Sequence, residues 1–402
     1  LGYGDLSCYG HPTIRTPHLD RMADEGVRLT EFYAAPSCSP ARAMLLTGRY
    51  PNRNGVPRVF GPDDARGLPS SEVTLAEALK AVGYRTAMFG KWHLGSQGAE
   101  QRPLAHGFDE YFGLLYSNDM YPPFVRTDRP LHLWDGDSET DEYPVDQTTL
   151  TKRYTERAVD FIERAKDAPF FLYVPYSMVH LPVFASKAFE GKSLGGLYGD
   201  AVEEIDWSVG EILRAMKSAG IEGNTLAVFT SDNGPWLDLP DRMLAEGNEP
   251  WHAGSPGLLR GWKGQTWEGG VRVPCIVRWP GRVPAGVESA GIARVMDLYA
   301  TAVALGGGTL PSDRAIDGVD IMELFEGGAS ARNELLHFRG EIPEAIRHGE
   351  WKLRAQLGRN GERDAPELFH LLRDPSERYN VADRYPEVAK RLAERLDDLS
   401  GE

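Results

Sequence analysis

The sequence predicts an α/β fold, with a large mixed, mostly parallel sheet sandwiched by helices over residues 1–310 and a small antiparallel α+β subdomain over 311–402. Three observations predict it. Apolar strand-like runs alternate with amphipathic stretches of helical period through the first three quarters of the chain. Polar residues gather directly after several of those runs, where open α/β sheets hold their ligands. Near residue 310 the texture changes: Gly306-Gly307-Gly308 and Pro311 mark a loop, and short alternating runs follow.

Thr74-Leu75-Ala76-Glu77 is a capping box that starts a helix through Ala81, ending near Gly83. Arg85 to Phe89 then reads as a strand running into Gly90-Lys91-Trp92-His93-Leu94-Gly95. An amphipathic stretch from Leu150 to Ala165 precedes the apolar strand Pro169 to Val174, and another from Tyr198 to Met216 precedes the strand Thr225 to Thr230. In the last quarter, Ala345-Ile346-Arg347 and Trp351-Lys352-Leu353 flank a His348-Gly349 turn. Glu367-Leu368-Phe369 reads as a third strand and Pro386 to Leu399 as a closing helix.

With 402 residues the chain is long enough for one large domain and an appendage. Its net charge of −15 argues against nucleic acid or an anionic membrane as the main partner. Three cysteines, Cys8, Cys38 and Cys275, make neither a disulfide framework nor a zinc clip. No apolar run reaches the length of a membrane span. The chain opens at Leu1 inside a glycine-rich loop, which reads as a fragment whose targeting signal and compartment are unreadable.

Four clusters carry chemistry. Cys38 begins the helix Cys38-Ser39-Pro40-Ala41-Arg42, with Pro40 suited to the first turn and Arg42 about one turn on; helix dipole and guanidinium both favour an anion there. A lone Cys in this setting also reads as a small buried side chain. Lys91 and His93 lie at i and i+2, so in an extended segment both point to one side. His180 follows an apolar strand in Val179-His180-Leu181-Pro182 and could donate a proton near neutral pH, or simply pack in a loop. Asp232 and Asn233 end the next strand in Ser231-Asp232-Asn233-Gly234; their oxygens suit Ca²⁺ or Mg²⁺, although the same residues make good turns.

Cys38-Ser39-Pro40-Ala41-Arg42 followed by Leu46-Thr47-Gly48-Arg49-Tyr50 resembles the first signature of the type I sulfatases, and Gly90-Lys91-Trp92-His93-Leu94-Gly95 resembles their second. The likeness covers the chain from Leu1 through the C-terminal hairpin and is nearest to the arylsulfatase A and N-acetylgalactosamine-6-sulfatase branch. It implies an alkaline-phosphatase-like fold and hydrolysis of an aryl or carbohydrate sulfate. It implies a formylglycine made from Cys38 by the formylglycine-generating enzyme, and a Ca²⁺ (or Mg²⁺) ion held by the residue-38 side chain, Asp232 and Asn233. Its further implications are that Arg42 supports the nucleophile, Lys91 and Lys263 bind sulfate, His180 protonates the leaving oxygen and His93 is the base for release. Ser117, in Tyr116-Ser117-Asn118-Asp119, lies in a region that approaches sulfate in such enzymes. Trp251, His252 and Trp262 are candidates for the leaving-group pocket.

The pattern departs at one place. In the resembled family a buried strand and an Asp-Asp metal-binding pair precede the Leu-Gly-Tyr-Gly segment, and this chain begins after them. Asp5 does not replace them. Two rival readings stay open: a phosphonate or phosphate ester hydrolase of the same superfold, and a non-catalytic binder of sulfated glycans.

Overall fold

The computed structural model describes residues 1–356, 358 and 363–399. Its strands, in chain order, are β1 (Val27–Leu29), β2 (Phe32–Tyr33), β3 (Arg85–Lys91), β4 (Glu110–Leu114), β5 (Trp134–Asp135), β6 (Ser138–Glu139), β7 (Phe170–Tyr173) and β8 (Ala227–Thr230). They continue with β9 (Cys275–Arg278), β10 (Val287–Ser289), β11 (Ala293–Arg294), β12 (Glu334–Arg339), β13 (Ile342–His348), β14 (Trp351–Arg354) and β15 (Glu367–His370).

One five-stranded sheet runs β6-β5-β4-β3-β7, parallel across β4-β3-β7 and antiparallel beyond β4. A four-stranded sheet runs β10-β1-β9-β8, in which β1 pairs in parallel with β10 while β9 is antiparallel to both neighbours. β2 and β11 form a short parallel pair. The helices Leu150–Ala165 and Gly196–Ser218 pack on each other, and the first also packs on β3 and β4. Leu150, Tyr154, Ala158 and Phe161 line one face of the first at helical spacing and join the core of the five-stranded sheet.

β7 and β8 are edge strands, and both line a cavity of about 960 Å³. Every residue of β7 is therefore only half-buried, although Phe170-Phe171-Leu172-Tyr173 has the composition of a core strand.

The capping box forms as its sequence dictates: Thr74 Oγ1 accepts from the Glu77 amide at 3.1 Å, and Glu77 Oε2 from the Thr74 amide at 2.7 Å. In the last quarter β12-β13-β14-β15 make an antiparallel sheet, with the helix Pro386–Asp398 against β13 and β14. Leu336, Ile346, Leu353, Leu368, Leu392 and Leu396 belong to the same apolar cluster as Val27, Leu29, Cys275 and Val277. The C-terminal sheet thus shares its core with the β1-β9 sheet. No helix among the described residues is long and apolar enough to cross a membrane.

Candidate active site

The site gathers at strand ends and one helix start. Cys38 is the first residue of the helix Cys38–Thr47, buried, with a free thiol; Gly48 ends that helix at φ 69°. One turn on, buried Arg42 donates through Nε and Nη2 to Asp232 Oδ2 at 3.0 and 2.9 Å, and through Nη1 to the Lys91 carbonyl. A single guanidinium thus ties the Cys38 helix to the ends of β3 and β8. Burial alone would push the Asp232 carboxyl up, but Arg42 and Lys91 outweigh it and hold it far below the usual carboxylate range.

Lys91 ends β3, 2% exposed, and donates to Ser117 Oγ at 3.3 Å. Burial pushes its ammonium down, with Cys38 and Asp232 pulling against that and Arg42 and Lys263 adding to it. Gly90 before it has φ 141°, and a Cβ there would lie 2.0 Å from the Pro175 carbonyl oxygen, so β3 and the chain after β7 approach closely only because position 90 has no side chain.

His93 differs from the extended geometry its spacing to Lys91 predicts. It turns into the left-handed region at φ 63°, which side-chain-bearing residues rarely adopt. Its Nε2 lies 3.0 Å from the Phe60 carbonyl oxygen, which can only accept, so Nε2 carries the proton. Nδ1 is left as a buried lone pair with no partner. Burial first, then Lys91 and Arg42, hold this imidazole well below its ordinary pKa, in the neutral form that can accept a proton.

His180 has the opposite tautomer. Nδ1 lies 2.7 Å from the Leu181 carbonyl and must donate, so Nε2 accepts from Lys263 Nζ at 2.7 Å. Burial, Lys263 and Lys91 hold this ring well below its usual pKa as well. Trp236 backs both groups: its ring lies 5.5 Å from the His180 ring and 4.5 Å from Lys263 Nζ. Asn118 holds the His180 loop by donating to the carbonyls of His180 and Pro182 at 3.2 and 2.9 Å. Buried Asp119 stands 3.7 Å from His180 Nδ1, and its Oδ1 has no hydrogen-bond partner. Trp236, Asn118 and Asp119 were not singled out in the sequence. The signal that could have found them was their adjacency to predicted strand ends and to Ser117.

Cys38, Arg42, Lys91, His180, Asp232, Asn233 and Lys263 all line the same cavity, with His252 at its wall. Ser117 joins them through Lys91. Trp251 is 71% exposed, and neither it nor Trp262 lines the cavity. Against the net charge of −15, the part of the cavity around Asp232 collects Arg42, Lys91 and Lys263, which suits an anionic substrate.

Asn233 is buried, its Nδ2 donates to the Gly234 carbonyl at 2.8 Å, and its Oδ1 has no partner. With the Asp232 carboxylate, that orphaned oxygen fits one side of a hard-cation site. Among the described residues, no group of three or more His, Cys, Asp and Glu side chains could hold a metal. Asp5 plays no part in it: its carboxylate is occupied by the Gly2 and Ser255 amides and the Tyr198 hydroxyl.

Comparison with known proteins agrees with this geometry. The family model named Sulfatase matches residues 1–308. Mouse steryl-sulfatase is 37% identical over 99% of this chain and 79% of its own length, and mouse N-acetylgalactosamine-6-sulfatase is 38% identical over 99% and 84%. The crystal structure of the PsFucS1 sulfatase from Pseudoalteromonas sp. superposes with a TM-score of 0.86 at 30% identity, covering 99% of this chain and 87% of that one. The fold, the signature residues and these relatives together place the chain in the sulfatase family.

Proposed function

We propose that this sulfatase cleaves its sulfate monoester, to alcohol and inorganic sulfate, with a formylglycine made from Cys38 by the formylglycine-generating enzyme. The observation that carries the reading is the buried start of the Cys38 helix, faced by Arg42, Lys91 and Lys263 in one cavity. The hydrated aldehyde would supply two hydroxyls, one to attack sulfur and one to lose its proton as sulfate departs by C–O cleavage. Dependence on formylglycine and a metal is typical of the family. For this chain we assign Ca²⁺, held by the residue-38 side chain, Asp232 and Asn233, where it would neutralise charge on the sulfuryl oxygens.

The chain's own residues do the rest. Lys91 and Lys263 bind sulfuryl oxygens as point charges, with Ser117 orienting Lys91. Arg42 fixes the nucleophile's helix against Asp232. Lys263 keeps its charge: as sulfate binds, its ammonium turns from His180 Nε2 to a sulfuryl oxygen, and the freed Nε2, once protonated from solvent, donates to the leaving oxygen. His93 Nδ1, neutral and unpartnered, accepts the proton whose loss drives sulfate release. Residues 311–402 are read as a small C-terminal α+β subdomain packed against the main sheet. An aryl or carbohydrate alcohol serves as the leaving group.

The test is turnover of sulfate and phosphate esters of one alcohol by the formylglycine-bearing protein. The sulfate ester is expected to turn over faster by at least about a hundredfold, roughly 2.7 kcal/mol of transition-state discrimination. Equal rates, or preference for phosphate, would overturn the assignment.

A further inference from the structure

The loop that carries Lys263 is held at both ends by residues of the last quarter of the chain. At its entry, Ser376 Oγ donates to the Leu258 carbonyl at 2.6 Å, and Arg260 Nη1 donates to the Glu377 carbonyl at 2.8 Å. At its exit, the Glu268 amide donates to Glu377 Oε2 at 2.7 Å. Glu377 therefore grips both ends. Beneath it, Lys352 Nζ stands 2.9 Å from Glu268 Oε1 and 2.9 Å from Glu377 Oε1, and all three side chains are fully buried. Tyr33 Oη adds a hydrogen bond to Glu268 Oε2 at 2.6 Å.

Between the two ends, Trp267 lies under Arg260 at 3.7 Å from guanidinium carbon to ring centroid, and under Arg354 of β14 at 3.5 Å. Two guanidinium groups that close cannot share one face of an indole, so the ring is sandwiched. The tip is tied to the loops beside Cys38 and Asn233: the Lys263 amide donates to the Pro235 carbonyl at 2.8 Å, and the Gly264 amide to the Pro36 carbonyl at 2.6 Å. Glu377 itself sits at φ 48°, a left-handed conformation that costs energy in a residue with a side chain. The surrounding contacts over-determine it, as they do at sites where strain serves a purpose.

We propose that Glu377 is a positioning residue for Lys263: with Lys352 and the Glu268 amide, it sets the two ends of the 258–268 loop so that the Lys263 ammonium stands against His180 and the sulfate. The claim rests on the reading of Lys263 as a sulfate-binding group. A buried carboxylate between a lysine and a backbone amide is costly to assemble and is specific about geometry. It acts here on a loop that otherwise has glycines at 261 and 264, both at positive φ, and would sample many shapes.

The experiment is a double-mutant cycle in the full chain with formylglycine formed, using Glu377→Ala, Lys263→Ala and the double variant. It reads kcat and KM on 4-nitrophenyl sulfate, inhibition by inorganic sulfate, and thermal unfolding. Glu377→Ala is expected to lower kcat/KM about tenfold or more and to weaken sulfate inhibition in the same proportion. In the Lys263→Ala background it is expected to cost nothing further. Glu377→Gln, which keeps an acceptor for the Glu268 amide, should restore most of the activity; if Glu377→Ala does not fold, Glu377→Asp, which keeps the charge but is one methylene short of the Glu268 amide, takes its place in the cycle with the same expected loss. An equal loss in both backgrounds would mean that Glu377 acts only on stability, and would overturn the positioning role alone. Full activity in Lys263→Ala would sink the sulfate-binding role of Lys263 and the positioning claim with it.

Discussion

His93→Asn separates chemistry from folding at the residue whose geometry is most constrained. Asn tolerates the left-handed region better than other side chains, so the φ of 63° is kept at little added strain. The folded protein loses one hydrogen bond, Nε2 to the Phe60 carbonyl, worth about 1 kcal/mol. It also loses the unpartnered Nδ1, the only lone pair on that side chain free to take a proton. Loss of a general base lowers rate by about 10² to 10⁴-fold, or roughly 2.7 to 5.5 kcal/mol of barrier. The effect on kcat therefore exceeds the effect on stability by a few kcal/mol. Because the base acts after the alcohol has left, the variant should release about one equivalent of alcohol per site in a rapid burst and then turn over slowly. Stopped-flow measurement of a chromogenic aryl sulfate reads both phases. A slow first equivalent, or an unchanged steady state, would refute the role of His93.

Three other outcomes are expected. Arg42→Lys keeps the charge but loses the two-nitrogen grip on Asp232 and cannot also reach the Lys91 carbonyl; it should destabilise the fold by about 2–4 kcal/mol and abolish most activity, read by denaturant unfolding and kcat. His106, buried against Trp92, is pushed by burial down to about 4. A histidine depressed in the fold stays neutral there while the unfolded chain takes up its proton below about pH 6.5, so stability falls as pH drops from about 6.5 toward 4, by up to about 1.4 kcal/mol per pH unit. His106→Phe should flatten that slope in pH-dependent unfolding, and an unchanged slope would reassign it to other histidines. Asn233→Leu removes the orphaned oxygen without cutting the Arg42–Asp232 pair; calcium binding followed by calorimetry should weaken about tenfold or more, and unchanged affinity would move the ion elsewhere.

Local pattern carried far into the fold. The helix Leu150–Ala165 has the bounds its apolar spacing predicts, and the Thr74 capping box and the β13-β14 hairpin form where their residues point. What was not legible is what depends on distant partners. β1 has three residues, and its partners β9 and β10 come from the far side of the chain, so no local period announces it. β12 was missed because Glu334–Arg339 gains its identity only by pairing with β13. The residues of the site stood out because they follow apolar runs and match a known signature. Their pairings did not: Arg42 with Asp232 and Lys263 with His180 join segments that only the sheet brings together. Tautomers are likewise invisible until the carbonyls of Phe60 and Leu181 are placed.

The central claim is the nature of residue 38, and peptide mass spectrometry across the helix start Pro36 to Arg42 tests it most directly. The protein would be expressed in a host with the formylglycine-generating enzyme, beside a control sulfatase. The account predicts the aldehyde or its hydrate at position 38, in step with the appearance of sulfate ester hydrolysis. An intact Cys38 thiol in active protein, from a host that converts the control, would contradict it.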